Sequence, residues 1–352
     1  MAEGGLGMRK ECVLKRDNVF IVLLKSILYA AAALAWTWAA IVTLGIWTLP
    51  MAVVIPIPFT VMYIKDKGGF AVLTALYAAG LYMIFGIETA AAFTAMLIPP
   101  VLAVAYVTLK KSGFYESVLI SALAVAAGLA LMLGVFWLFV RGDIVAEGVA
   151  VLRSYFETET GGYLAKAHYV YYKLLDTANT GIINEVLMIP GPISADMLDY
   201  TMKNLEFAFR VGILPLMARY SIFGGLINYI VVRWRAKRAG MAVRGIPPLR
   251  LWKMPKVLIR GIIIMLVALL ITYFVDNAAM DVAGSAIYGM LEVIFGVLGI
   301  CFLDFFITSK MAKKGGRVAM LTLISVVFAD ILMLVGAIEY IFKLRDRAVI
   351  KG

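Results

Sequence analysis

Nine apolar stretches are strung along this chain, at 19–41, 44–64, 70–87, 89–109, 117–140, 206–232, 257–275, 284–308 and 317–342. A helix rises 1.5 Å per residue, so about 20 apolar residues cross the roughly 30 Å hydrocarbon core of a bilayer. Inside lipid every backbone group must be satisfied within the segment, which such stretches achieve only as helices. The expected fold is therefore all-α: a polytopic integral membrane helical bundle of about nine transmembrane helices. Composition agrees. Of 352 residues, 63% are hydrophobic and 16% charged, against roughly a quarter charged in soluble domains. The first stretch follows Arg9, Lys10, Lys15 and Arg16. It is longer than the ~7–15 apolar residues of a cleaved signal, so it reads as an uncleaved span. Pro50, Pro56 and Pro58 in the second stretch and Pro99-Pro100 in the fourth predict bends.

Charge sets the orientation. The link at 233–260 carries Arg233, Arg235, Lys237, Arg238, Arg244, Arg250, Lys253, Lys256 and Arg260 and no acid. Lys65 and Lys67, Lys110 and Lys111, and Lys310, Lys313, Lys314 and Arg317 follow other even-numbered stretches. The opposite links hold Glu88, the acidic segment 141–205, and Asp276 with Asp281. Basic loops stay in the cytoplasm, so a multi-pass membrane protein with a cytoplasmic N-terminus is expected. The net charge of +11 then belongs to loops touching anionic membrane lipid, and no nucleic-acid partner is expected. One conflict stays inside the sequence. Nine crossings leave the C-terminal tail outside, yet Lys343, Arg345, Arg347 and Lys351 favour the cytoplasm.

Three regions follow: an N-terminal membrane region, 1–140, with five spans; an outer helical segment, 141–205; and a C-terminal membrane region, 206–352, with about four spans and the cytoplasmic part of the link, 233–256. In the outer segment acids outnumber bases eight to five. Apolar spacing predicts helices at 143–157 and 163–176, broken at Gly161-Gly162, with a turn at Pro190-Gly191-Pro192. Tyr163, Tyr169, Tyr171 and Tyr172 suit the membrane–water boundary, and His168 reads as a surface or interfacial residue.

A charge at mid-bilayer costs about 2.5–3.5 kcal/mol or more and needs protein or water beside it. Arg219, Glu292 and Asp330 are the candidates, with Arg219–Asp330 or Arg219–Glu292 as the expected pair. Such a pair fixes helix register or serves a site. Asp304, Glu339 and Arg260 lie near span ends and are expected to reach water. Ala31, Ala35 and Ala39 repeat every fourth residue, a stripe on which another helix could dock, from this chain or a partner. Cys12 and Cys301 are not expected to bridge. One histidine and two cysteines build no metal motif. Gly68-Gly69 and Gly315-Gly316 lack the context of phosphate loops. No nucleophile–base pattern or paired carboxylates stand out, so neither an enzyme nor a cofactor is expected.

The second half carries a resemblance. Asn228-Tyr229 is followed by the basic turn and by Ile246-Pro247-Pro248-Leu249-Arg250-Leu251-Trp252-Lys253-Met254-Pro255, and Gly336-Ala337-Ile338-Glu339-Tyr340-Ile341-Phe342-Lys343-Leu344-Arg345 lies near the end. These stretches resemble the YybS-like uncharacterised bacterial membrane proteins, although Glu339 stands where that family usually has Asp. The resemblance covers most of the chain in layout and only these stretches in residues. It implies a distant similarity of the first six spans to S components of energy-coupling-factor transporters. They bind vitamins or metal ions on the outer side and dock a membrane coupling subunit through small residues of their first helix. On that implication Ala31, Ala35 and Ala39 dock the coupling subunit and its ATPases, and 141–205 roofs an outer pocket for a small molecule. The competing expectation is a non-transport membrane scaffold or envelope assembly factor.

Overall fold

The computed structural model describes residues 19–42, 53–177, 193–253, 256–275, 277–310 and 329–345, together with 316, 320, 321, 323, 324 and 347. Among them the chain is helical: α1 (Val19–Val42), α2 (Pro56–Lys65), α3 (Lys67–Phe85), α4 (Ile87–Lys110), α5 (Phe114–Val140), α6 (Ile144–Phe156), α7 (Glu159–Thr177), α8 (Ala195–Arg238), α9 (Lys256–Phe274), α10 (Ala278–Lys310) and α11 (Ala329–Phe342), with a 3-10 turn at Leu249–Leu251. Six of these, α1, α3, α4, α5, α8 and α10, are long and apolar enough to cross a membrane, and α9 holds a shorter apolar run, Leu258–Phe274.

The differences from expectation are local. The described part of the second stretch is the ten-residue α2, which starts at Pro56; proline suits a first helical turn because its missing N–H is unneeded there. Within 317–342 the continuous described helix is the 14-residue α11. Helix α8 runs 44 residues, about twice what a bilayer needs, so 195–205 begins the sixth span's own helix. The break between α6 and α7 falls at 157–158, and Gly161-Gly162 lies inside α7. Gly161 is instead a contact point: a Cβ there would run into the Tyr155 carbonyl. Pro190-Gly191-Pro192, Cys12 and the basic residues before the first span lie outside the described residues.

The chain divides into two compact units, 1–132 with 221–247, and 133–220 with 248–352. The divisions fall within α5 and α8. In the first unit, α1 turns Ser26, Ala30, Ala33 and Thr37 inward. The Ser26 hydroxyl donates to the Gly69 carbonyl (3.2 Å) and Thr37 Oγ1 lies 2.9 Å from the Tyr77 hydroxyl, fastening α1 to α3. Tyr77 stands edge-on to Phe59 of α2. Pro99 and Pro100 sit within a continuous α4. Pro100 has no N–H for the Met96 carbonyl, and α5 packs against this freed carbonyl, where a Cβ on Gly128 would collide with it.

Large apolar side chains point outward on α1 (Phe20, Leu24, Leu28) and α9 (Ile263, Ile264, Val267, Leu270, Ile271). Water would penalise such faces and lipid does not.

In the second unit α6 and α7 form a hairpin on the first half of α8. Asp143 caps α6, accepting from the amides of Val145 and Ala146, and pairs with Arg210 of α8. Arg153 of α6 pairs with Asp199 of α8. The Arg210 hydrogen bond, with the capped amides, holds the Asp143 carboxyl below its ordinary pKa. His168 stacks between Phe156 and Tyr172, half-buried rather than fully exposed, and burial pushes its pKa down. Neutral His168 is the folded form, so its contribution is full above the unfolded pKa of about 6.5. It is lost as pH falls from there towards the lowered folded value. The stability of the hairpin, followed by hydrogen exchange of α6 and α7, should therefore drop between pH 7 and pH 5. His168→Phe should flatten that interval; an unchanged slope would remove His168 as its cause.

Candidate functional site

Two polar constructions stand out in the second unit, at opposite ends of the α9–α10 hairpin. Helix α9 runs away from the Leu249–Leu251 turn, and Thr272 near its far end touches the backbone at Gly284, early in α10. Between these ends Ile262, Leu291, Phe295 and Leu298 form an apolar core.

At the end away from the link lies a cleft of about 500 Å³, lined by Val211, Gly212, Pro215, Leu216 and Arg219 of α8, Leu269 of α9, and Gly284, Ser285 and Tyr288 of α10. Its chemistry follows from α8. Val211, Pro215 and Arg219 recur every fourth residue and share one face. Pro215 sits inside the helix, so the Val211 carbonyl loses its intrahelical donor. A freed carbonyl at membrane depth is tolerated where protein or water satisfies it. Arg219 Nη2 lies 2.6 Å from Glu292 Oε2, with side chains 37% and 22% exposed. Gly289 makes this reach possible: a Cβ there would stand 2.8 Å from Arg219 Nε. That Nε is buried without a hydrogen-bond partner among the described residues. The Ser285 and Tyr288 side chains are exposed beside it. The cleft thus has apolar walls, one half-neutralised guanidinium, two hydroxyls and a freed carbonyl. Few polar groups on apolar walls is the usual make-up of a small-molecule pocket.

Of the two partners considered for Arg219, the structure sets Glu292 against it. Asp330 is exposed on α11 and is not brought to the cleft.

At the other end Glu339 and Arg345 are both buried. The expectation that Glu339 reaches water is overturned. Arg345 Nε donates to Glu339 Oε1 (2.7 Å) and the Arg345 amide to Oε2 (3.3 Å). Arg345 Nη1 donates to the carbonyls of Trp252 (2.9 Å) and Arg250 (3.2 Å). One side chain therefore clips the turn after α11 to the link. Lys343, at φ 49°, makes the reversal that brings Arg345 back on Glu339. Asp304, also expected to reach water, is buried, while Arg260 is exposed. The clip therefore places residue 345 beside the link.

The sequence pattern alone does not single out Arg345. The signal for it was present, since both stretches carrying the family resemblance, 246–255 and 336–345, meet through this one side chain. The stripe is different again. Ala31 and Ala35 are exposed and Ala39 is half-buried, while Ala30, Ala33 and Thr37 make the contact within the unit. Among the described residues, no group of three or more His, Cys, Asp or Glu is placed to hold a metal ion, and Cys301 is buried.

A family model described as "Predicted membrane protein (DUF2232)" matches residues 31–339. No curated protein matches the chain, and no solved structure does.

Proposed function

The chain belongs to this family of predicted membrane proteins, and from that premise we propose that it is the substrate-binding subunit of a membrane transport system, taking a small organic anion with an apolar part in the Arg219 cleft. The single observation carrying this reading is that Arg219 lines the cleft while one edge of its guanidinium is held by Glu292. An arginine so held is already paid for in desolvation by its partner and keeps donors for a carboxylate or phosphate, which it grips in two-pronged geometry. Leu216, Leu269 and Val211 suit the ligand's apolar part. The basic link supports a cytoplasmic N-terminus in a bacterial inner membrane, and the cleft then opens towards the outer face. The exposed Ala31 and Ala35 supply a docking place for a coupling subunit with its ATPases, as the resemblance to S components implies.

Protein purified from native membranes in mild detergent, extracted and analysed by mass spectrometry, should carry a small organic anion. Arg219→Gln should reduce it about tenfold or more, since a hydrogen bond to a charged group contributes about 1.5–3 kcal/mol. Equal recovery from both proteins would sink the binding site. The same preparations test transport separately: a coupling membrane subunit and ATPases should co-purify, less so with Ala35→Leu. Their absence would leave a binding protein without a transporter and move the weight to the scaffold reading.

A further inference from the structure

We propose that the Arg345 clip assembles a binding site for the headgroup of an anionic phospholipid, built from the link and the turn after α11. The two carbonyls held by Arg345 belong to Arg250 and Trp252, so the backbone of 250–252 lies within reach of the Arg345 side chain. Each stretch brings exposed cations: Arg250 and Lys253 from the link, Lys343 and Arg347 from the turn. The Arg347 amide donates to the Lys343 carbonyl (3.2 Å), so these two are one helical turn apart, on either side of the buried arginine. Two acids stand here, Glu339, which is spent on Arg345, and Asp304, and both are buried. Asp346 lies outside the described residues. Exposed Leu251, 55% accessible, stands among the cations, while Trp252 beneath it is buried.

The position fixes the partner. The four cations sit where α9 begins and α11 has just ended, which is the level where apolar helix gives way to water. Headgroup phosphates lie at that level, and Leu251 beside them meets the start of the acyl chains. Cations at a membrane surface attract anionic lipid at close range. What the clip adds is proximity: two basic segments almost a hundred positions apart in sequence are tied together through Arg345, so their backbones do not have to be brought together on binding. The guanidinium of Arg250 suits two phosphate oxygens at once.

The test uses the full-length protein in nanodiscs of phosphatidylcholine containing a minor fraction of phosphatidylglycerol, transferred to detergent, with retained lipid counted by native mass spectrometry. Wild-type protein should retain phosphatidylglycerol above its share of the mixture. Replacing Arg250, Lys253, Lys343 and Arg347 together by Gln should remove that excess, by roughly fivefold per cation. Arg235→Gln with Lys237→Gln, exposed cations of the same link outside the clip, should leave it intact. Glu339→Gln with Arg345→Met alters no surface charge and no net charge, yet should also lose the excess. Retention by the fourfold variant would overturn the site, as would equal loss in the Arg235, Lys237 control, which would mean a diffuse charge effect. Co-purification of an acidic protein that phosphatidylglycerol does not displace would assign the same surface to a protein partner and overturn the proposal. The fourfold variant touches no buried group, so a folding failure of the double variant leaves the question decidable.

Discussion

Gly336→Val should be among the most damaging single substitutions in this protein. A Cβ at Gly336 would collide with the Phe295 carbonyl and stand 2.8 Å from the Gly299 amide nitrogen, and a Cβ at Gly299 would collide with the Leu332 carbonyl. Helices α10 and α11 therefore touch backbone to backbone. In lipid this is the main way to hold helices together, because apolar side chains gain nothing by leaving hydrocarbon for protein. The atoms in the way are carbonyls of rigid helices, which cannot swing aside as a side chain does. Overpacking of this kind costs typically 1–3 kcal/mol and occasionally more, and the upper end is expected here because both helices must separate. Thermal unfolding in detergent should show a clear drop in midpoint for Gly336→Val and for Gly299→Val. Gly296 is the control: it lies on the same helix and a Cβ there meets nothing within 4 Å. Gly296→Ala should hold or raise the midpoint, since alanine favours a helix by about 1 kcal/mol over glycine. Equal behaviour of Gly336→Val and Gly296→Ala would refute the close packing.

This contact illustrates what the sequence shows and what it hides. Runs such as Phe114–Val140 announce a spanning helix by length and apolarity alone, and the structure has them. Which runs pack together is written in small residues whose meaning depends on the partner. Gly296 and Gly299 look alike in sequence, yet one faces open space and the other a carbonyl. The alanines at 31, 35 and 39 repeat invitingly, while α1 packs through Ala30, Ala33 and Thr37, one or two positions away on another face. Boundaries fail for a related reason. Residues 195–205 carry Asp196, Asp199 and Lys203 and read as an aqueous segment. A helix does not stop because its surface turns polar, and α8 continues through them, paired with the α6–α7 hairpin by Arg153–Asp199 and Arg210–Asp143.

The charged residues divide in the same way. Arg219 and Glu292 were legible because a charge deep in an apolar run needs a partner. Sequence offered Asp330 equally, since register between helices is not encoded in spacing along one of them. The cleft beside the pair depends on Pro215, Gly212, Gly284 and Gly289 acting together, and none of these is distinctive alone. Hydropathy misplaces Glu339, because the hydrophobic run ends near it while burial does not. The chain turns at Lys343 and folds Arg345 back onto it, a tertiary event invisible to hydropathy.

Breaking that fold-back should be the other large effect. Arg345 and Glu339 have side chains only 6% and 7% exposed, and removing one member of a buried pair costs about 3–5 kcal/mol because the other charge stays behind without compensation. Arg345→Met should lose that much, since it strands the Glu339 carboxylate and also releases the carbonyls of Arg250 and Trp252. Glu339→Gln should fall nearer the low end, because the carbonyls still occupy Nη1. Arg345→Lys should not rescue: an ammonium cannot serve a carboxylate and two carbonyls from the separate corners that a guanidinium provides. The combination of Glu339→Gln with Arg345→Met removes both charges, and should be less damaging than the two single losses added together. Thermal midpoints of the four variants and the wild-type protein in one detergent measure all of this. Strict additivity would mean that the two groups act independently, and wild-type midpoints for both single variants would mean that the clip does not hold the end of α11 to the link at all.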